Sequence, residues 1–149
     1  MNLFADLPGE PTSKNELKLT LYTDGGSRGN PGISGCGGGL YDGSKTEVAT
    51  FSEFLGHQTN NFAEYQGLII GFQEALKLGG TDLEVFLDSK LAIEQMKGAW
   101  KVKHPQIKIL FQEAKVLEEQ FENVSYQHVL RHLNTRADEL ANQAMDRGK

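Results

Sequence analysis

Cysteine is almost absent from this chain, since Cys36 is the only one among 149 residues. One cysteine excludes an internal disulfide and any zinc site built from cysteines. The sequence also lacks an apolar run near the roughly 18 residues that a membrane helix needs. Its start, MNLFADLPGEPTSKNE, has neither a basic n-region nor a long apolar stretch, so no secretory signal is expected. These absences predict a cytoplasmic protein without a membrane segment.

An excess of basic residues is absent too, because the formal net charge is −5. Nucleic-acid-binding proteins usually carry a basic surface that neutralises phosphates, so this balance argues against such a partner. The argument loses force if several acids are metal ligands, because they count as negative until cations bind them. Two local basic strips remain, and they comprise Lys97, Lys101, Lys103 and His104, and then Arg131, His132 and Arg136.

The length suits one domain. Residues 1–15 contain Pro, Gly and Ser without apolar periodicity, so we expect a flexible leader there and one folded domain over residues 16–149. Nothing in the sequence indicates an obligate protein partner, and we expect a monomer.

Hydrophobic periodicity predicts three strands, a helix, a strand, two helices, a strand and a last helix. The first strand covers residues 17–22, and GGSRGNPG after Asp24 is typical of a turn. Asp42-Gly43 predicts a hairpin between the second and third strands. Early consecutive strands and later strand–helix alternation favour an α/β fold, with a mixed five-stranded sheet and helices on both faces.

Acidic residues stand at the edges of four predicted elements. Asp24 and Asp88 follow the first and fourth strands, Glu64 lies in the first turns of a helix, and Asp138 opens the last helix. If the two strands are parallel neighbours, Asp24 and Asp88 meet at their carboxyl ends. A pocket made of carboxylates suits hard cations such as Mg²⁺ and phosphate substrates, and without metal the crowding raises at least one pKa.

Each acid also has a structural explanation. Asp24 before two glycines suits a turn, and Asp88 suits the cap of the next helix. Asp138 would complement the dipole of the last helix, and Glu64 suits a solvated helix surface. We favour the functional interpretation, because four independent coincidences at the ends of elements are improbable.

The segments TDGGSRGNPG, TNNFAEY, LDS and NTRADELA, in this order and spacing, resemble the type 1 ribonuclease H family. The resemblance runs from about Leu17 to Met145. It implies the ribonuclease H-like fold, with strand order 3-2-1-4-5 and only the second strand antiparallel. It also implies an endonuclease that cleaves the RNA strand of RNA–DNA hybrids and leaves 5′-phosphate and 3′-hydroxyl ends.

The resemblance places the catalytic acids and metal ligands at Asp24, Glu64, Asp88 and Asp138. They would hold two Mg²⁺, with Mn²⁺ able to substitute, so that one metal activates a water and the other stabilises the leaving oxygen. A mobile histidine of the family corresponds to His132. The short segment before Asp138 also resembles a subgroup with an arginine in that region, so Arg131 is an alternative.

Substrate contacts are implied as well. Asn60 and Asn61 correspond to residues in the minor groove, where 2′-hydroxyls identify RNA. The alternative is that Asn60 caps the helix. Thr59 and Asn30 resemble residues that hold a backbone phosphate. The glycines of the first motif would let the RNA strand approach the backbone closely, and they are Gly25, Gly26 and Gly29.

Two features depart from the family pattern. Lys90 replaces a common Gln, and the short segment GAWKVKHP replaces a long basic protrusion. Trp100 in that segment would stack on sugars of the DNA strand, the alternative being ordinary packing. Competing functions are a binding module without catalysis and a nuclease with another nucleic-acid substrate. The intact set of acids argues against the first, and TNN beside Glu64 favours hybrids while leaving cleavage of duplex RNA open.

Overall fold

The computed structural model describes residues 16–148, so the predicted leader over residues 1–15 lies outside the described part. The strands are β1 (Lys18–Arg28), β2 (Gly32–Tyr41), β3 (Glu47–Gln58), β4 (Asp82–Leu87) and β5 (Asn123–His128). The helices are α1 (Asn60–Lys77), α2 (Lys90–Met96), α3 (Pro105–Glu118) and α4 (Thr135–Arg147), and a 3₁₀ turn covers Arg131–Leu133.

The five strands form one mixed sheet in the order β3-β2-β1-β4-β5. Strand β2 is antiparallel to both of its neighbours, whereas β1, β4 and β5 run parallel. The predicted architecture is therefore confirmed, including the central adjacency of β1 and β4. Tyr22 pairs with Phe86 at the end of that ladder, so two residues further along each strand bring the chain to Asp24 and Asp88.

Helices cover both faces of the sheet. On one face, Leu21 of β1 contacts α1 at Gly71, and α3 packs beside α1. On the other face, α4 lies so close to β2 that a Cβ at Gly37 would be 2.5 Å from the Ala141 nitrogen. The buried side chains of α4 that make this packing possible are small, namely Ala137, Ala141 and Ala144. Small residues on both sides allow the contact that carries Asp138 toward the sheet.

The predicted end of the first strand is wrong. Strand β1 continues through both glycines as far as Arg28, which pairs with Ile33 of β2, and the turn is confined to residues 29–31. Asp24 therefore lies inside a paired strand, opposite Gly37, instead of beyond its end or in a turn. Glycine-rich sequence predicts a turn, but Gly25 is needed inside the strand because a Cβ there would overlap the backbone of α1.

No helix within residues 16–148 combines the length and the apolar character that crossing a membrane requires.

Candidate active site

Three carboxylates converge at one edge of the central strands. Asp24 comes from β1, Asp88 follows β4, and Glu64 lies in the second turn of α1. One oxygen of each lies within 4.8 Å of an oxygen of the others. The backbone amide of Gly25 donates a hydrogen bond to Asp24 Oδ1 at 2.9 Å, which fixes that carboxylate.

A close contact between β1 and α1 brings Glu64 to Asp24. A Cβ at Gly25 would lie 2.2 Å from the carbonyl oxygen of Ala63 and 2.6 Å from the Glu64 nitrogen. Only glycine permits this approach of strand to helix backbone, since any other residue places an atom there. Gly25 thus has a structural role at the site in addition to the proposed approach of RNA.

The fourth acid reaches the same groove from the first turn of α4. Asn134, which is 1% exposed, stands immediately before this helix, and its Nδ2 donates to the carbonyl oxygen of Thr23 at 3.0 Å. Thr23 precedes Asp24, and the amide of Asp138 donates to the carbonyl oxygen of Asn134. The buried asparagine therefore ties the start of α4 to the strand that carries Asp24.

The site favours protonated acids in the absence of a cation. Burial, followed by the charges of Asp88 and Asp138, raises the pKa of Asp24 to about 7. Burial and the charges of Asp24 and Asp88 raise the pKa of Glu64 well above its ordinary value. Burial also raises the pKa of Asp88, and Arg131 opposes the increase at all three carboxyls. These directions agree with the expected crowding of carboxylates.

The donor set fits a hard divalent cation. Every ligand atom that the cluster offers is a carboxylate oxygen, which Mg²⁺, Mn²⁺ and Ca²⁺ prefer. Glu64 Oε1 is buried and has no hydrogen-bond partner within the described residues. A buried acceptor without a donor costs free energy, and a cation would supply the missing interaction. The cluster can therefore hold a divalent metal.

The acids line an open groove of about 410 Å³. The groove also contains residues from β1, α1, the start of α2 and α4, among them Gly26, Asn60, Asn61, Ser89, Arg131 and Asn142. Arg131 is among its lining residues, whereas His132, in the same 3₁₀ turn, is exposed and not among them. Of the two candidates for the basic role, the structure places the arginine beside the acids.

Hydrogen bonds fix the polar residues at the start of α1. Asn60 Oδ1 accepts from both the backbone and the hydroxyl of Ser27, at 2.8 and 3.0 Å, and Asn30 Oδ1 accepts from the Asn60 backbone amide. Thr59 is the N-cap of α1, accepting from Phe62, so the alternative of an Asn60 cap is wrong. Ser89 caps α2 in the same way, so the alternative of an Asp88 cap is wrong too.

Trp100 does not line the groove. It lies in the connection between α2 and α3, and it is 45% exposed, as expected for a residue that is not part of the core. Gly29, in the turn after β1, has φ +102°, a conformation that favours glycine.

Three residues of the site escaped the sequence interpretation. Asn134 looked like an ordinary residue of the last motif, and its position directly before a helix start was the available signal. Arg28 lines the groove and forms an ion pair with Asp146 at 2.8 Å, a contact 118 residues apart that no local pattern shows. His128 is exposed at the end of β5 and places Nε2 3.2 Å from the Asp88 carbonyl oxygen.

Sequence comparison connects this architecture with known proteins. The family model described as Reverse transcriptase-like matches residues 22–144. The Bifunctional protein Rv2228c of Mycobacterium tuberculosis is 48% identical over 131 residues, which are 87% of this chain and 36% of that protein. Ribonuclease HI of Halobacterium salinarum is 41% identical, covering 87% of this chain and 65% of its own length. The chain thus spans less than two thirds of these relatives.

This chain matches another relative over almost all of that relative's length. Ribonuclease H of Ruthia magnifica is 37% identical over 87% of this chain and 97% of its own length. Among solved structures, the N-terminal RNase H domain of the Mycobacterium tuberculosis protein superposes with a TM-score of 0.86 at 47% identity, covering 89% of this chain and 96% of that one. The structure of LC11-RNase H1 in complex with an RNA/DNA hybrid superposes with a TM-score of 0.82 at 37% sequence identity. The match covers 87% of this chain and 98% of that one. The chain described here belongs to the ribonuclease H family of enzymes.

Proposed function

We propose that this chain hydrolyses the RNA strand of RNA–DNA hybrids in a reaction that depends on Mg²⁺. The observation that carries the proposal is the convergence of Asp24, Glu64 and Asp88 oxygens within 4.8 Å in an open groove. The similarity to LC11-RNase H1, whose structure contains an RNA/DNA hybrid, supports the choice of substrate.

Each acid has a separate role in this proposal. Asp24, Glu64 and Asp88 form the inner ligand set, and Asp138 completes it from the rim of the groove. Two Mg²⁺ held there would lower the pKa of the attacking water and stabilise the departing 3′-oxygen, which gives 5′-phosphate and 3′-hydroxyl ends. Mn²⁺ has the same preference for oxygen and would substitute.

Basic groups beside the acids have supporting roles. Arg131 already opposes the rise in pKa of the three inner carboxyls, and a cation in that position also attracts a phosphate. His132 lies on the exposed turn next to it, so we give it the smaller part in proton transfer or product release. Mutation of each residue by itself separates the two roles.

Recognition of the hybrid would begin at the N-terminus of α1. With Oδ1 of Asn60 accepting from Ser27, its Nδ2 amino group supplies a donor for the substrate, and Asn61 supplies a second amide in the groove. Such groups read the 2′-hydroxyls in the minor groove of a hybrid. Asn30 and Thr59 lie beside them and would hold a phosphate, while Gly26 offers a surface without a side chain.

The test is cleavage of a strand-labelled RNA–DNA hybrid, with duplex RNA and duplex DNA as comparison substrates, in Mg²⁺, in Mn²⁺ and in EDTA. The Asp24→Asn variant removes one ligand, and Glu84→Gln neutralises an exposed acid of β4 as a matched control. We expect cleavage of the RNA strand alone, which EDTA and Asp24→Asn abolish and Glu84→Gln preserves.

Other results would decide against the proposal. Binding without cleavage in either metal would identify a module that has lost catalysis. Cleavage of duplex DNA or duplex RNA in preference to the hybrid would identify another nuclease of this fold. Activity that survives EDTA would exclude the metal-dependent mechanism.

A further inference from the structure

The connection between α2 and α3 presents an aromatic and basic surface. We call residues 98–104 the Trp100 loop. Its exposed aromatic and basic side chains are Trp100, Lys101, Lys103 and His104, and exposed Lys97 precedes it. Aromatic rings stack on nucleic-acid groups and lysines neutralise phosphates, so this composition suits a nucleic-acid strand. Short loops are mobile unless something fixes them, which makes the anchoring of this loop informative.

A buried chain of hydrogen bonds joins the Trp100 loop to helix α1. The Tyr65 hydroxyl donates to Gln95 Oε1 at 2.7 Å, and Gln95 Nε2 donates to the carbonyl oxygen of Lys101 at 3.2 Å. Tyr65 is fully buried, and Gln95 is 6% exposed. Tyr65 directly follows Glu64 in the sequence, so the chain begins beside one of the metal-binding acids.

Further contacts hold the first half of the loop. The amides of Ala99 and Trp100 both donate to the Glu94 carbonyl oxygen, and Val102 packs partly buried against the core. The Lys101 carbonyl is the point where Gln95 meets the basic part of the loop. Phe and Leu in place of Tyr65 and Gln95 would fill the same space without any polar group. The hydrogen-bonded pair, in contrast, fixes one geometry of the loop relative to α1.

We propose that Tyr65 and Gln95 are positioning residues that fix the Trp100 loop for the DNA strand of the hybrid. The inference rests on the proposed function, in which the RNA strand occupies the acids. Helix α2 has 7 residues between Asp88 and the loop, a span of about 10 Å along its axis. The loop therefore lies outside the groove of the acids, at a separation set by this short helix, and we place the uncut strand of the duplex there.

The first measurement needs no substrate. Trp100 is the only tryptophan of the chain, so acrylamide quenching and anisotropy of its fluorescence report on the loop directly. Tyr65→Phe removes the hydroxyl and should raise the quenching constant and lower the anisotropy. The matched control is Tyr126→Phe, which deletes another buried hydroxyl, one that lies near Tyr65 but donates to Glu118 of α3 and not toward the loop. This control should leave Trp100 unchanged.

The second measurement is steady-state cleavage of the hybrid. Tyr65→Phe should raise KM about three- to tenfold with kcat nearly retained, as expected for the loss of one hydrogen bond that organises binding. Gln95→Met, which keeps the volume and removes both bonds, should do the same. In a background with Trp100→Ala, Lys101→Ala and Lys103→Ala, adding Tyr65→Phe should have no further effect on KM.

Three results would overturn the inference. They are unchanged Trp100 quenching in Tyr65→Phe and Gln95→Met, equal changes in Tyr126→Phe, and an undiminished effect of Tyr65→Phe without the loop side chains. A chain that cleaves no hybrid would refute the proposed function, and unchanged quenching would still refute the anchoring separately.

Discussion

At the scale of single residues, the chemistry of the site depends on carboxyls that resist ionisation. Asp24 is 6% exposed and has a pKa near 7, because burial and two neighbouring acids disfavour its charge. The same groups that prepare the protein to bind a cation therefore lower its stability when the cation is absent.

This leads to a prediction about pH and stability without metal. A raised carboxyl pKa in the folded state stabilises the protein at low pH, and this contribution is lost as pH rises from about 4 toward about 7. Each pKa unit corresponds to about 1.4 kcal/mol. In EDTA, the Tm of the parent should fall over this range relative to that of Asp24→Asn, as followed by thermal unfolding.

At pH 8, Mg²⁺ should raise the Tm of the parent above that of Asp24→Asn. The ion stabilises the folded parent by binding to it, whereas the variant has one metal ligand fewer. Glu84→Gln, which changes an exposed acid, should follow the parent in both conditions. Parallel pH profiles for the parent and Asp24→Asn in EDTA would contradict the raised pKa.

Arg131 and His132 make distinct predictions because only the arginine lines the groove. Arg131→Ala should reduce kcat about tenfold, the loss expected when a charged group no longer interacts with reacting phosphate. It should also move the acidic limb of the rate profile to higher pH, since Arg131 lowers the pKa of all three inner acids. His132→Ala should change kcat less than about threefold. The reverse order of kcat in steady-state kinetics would assign the main role to His132.

At the scale of elements, the site depends on how closely β1 and α1 pack. Residue Gly25 is one of the contact points, and a Cβ there would overlap the backbone of Ala63. The helix would have to move away, and the movement would separate Glu64 from Asp24.

Gly25→Ala should therefore cost about 2–3 kcal/mol of unfolding free energy and about a hundredfold in kcat. Gly43→Ala is the matched control, because nothing lies within 4 Å of its added methyl group. Denaturant unfolding and hybrid cleavage would measure the two effects. Gly25→Ala with parental activity would show that the helix position does not govern the acids.

The sequence predicted helices and strands correctly where the apolar period was clear, and incorrectly where glycines left no period to detect. The apolar spacing of α1 and the alternation in β4 gave the correct types of structure, because buried faces impose these periods. Strand β1 was predicted to end just before Asp24, since Gly25 and Gly26 have no side chains whose alternation could indicate a strand. Their place in the strand is set by the helices on either side, which are distant in sequence.

At the scale of the whole molecule, a net charge of −5 must be reconciled with the polyanionic substrate that we propose. The acids of the site account for part of the negative charge, and bound cations would neutralise it. In the proposed complex, only a few basic residues would then contact phosphates, chiefly the lysines of the Trp100 loop and Arg131. Such a small set implies modest electrostatic affinity.

Hybrid binding should accordingly depend only moderately on salt. With about three to four phosphate contacts, the slope of log K against log salt should be about −3 to −4, shallower than for relatives with a basic protrusion. Anisotropy titrations with Ca²⁺ in place of Mg²⁺ would measure it. Lys101→Ala with Lys103→Ala should reduce the slope by about 2. Lys77→Ala, at the far end of α1, should not change it, and a slope near −8 in the parent would refute the prediction.

The sequence by itself determined the types of elements, the order of the strands once its motifs were identified, and the identity of the acids. It could do so because periodicity and motif spacing are local properties. The tertiary structure alone decided that Asp24 lies within a strand, that Asn134 ties α4 to Thr23, that Arg131 stands nearer the acids than His132, and that Tyr65 reaches the Trp100 loop. These facts arise from contacts between distant segments, whose closeness depends on packing that no single segment encodes.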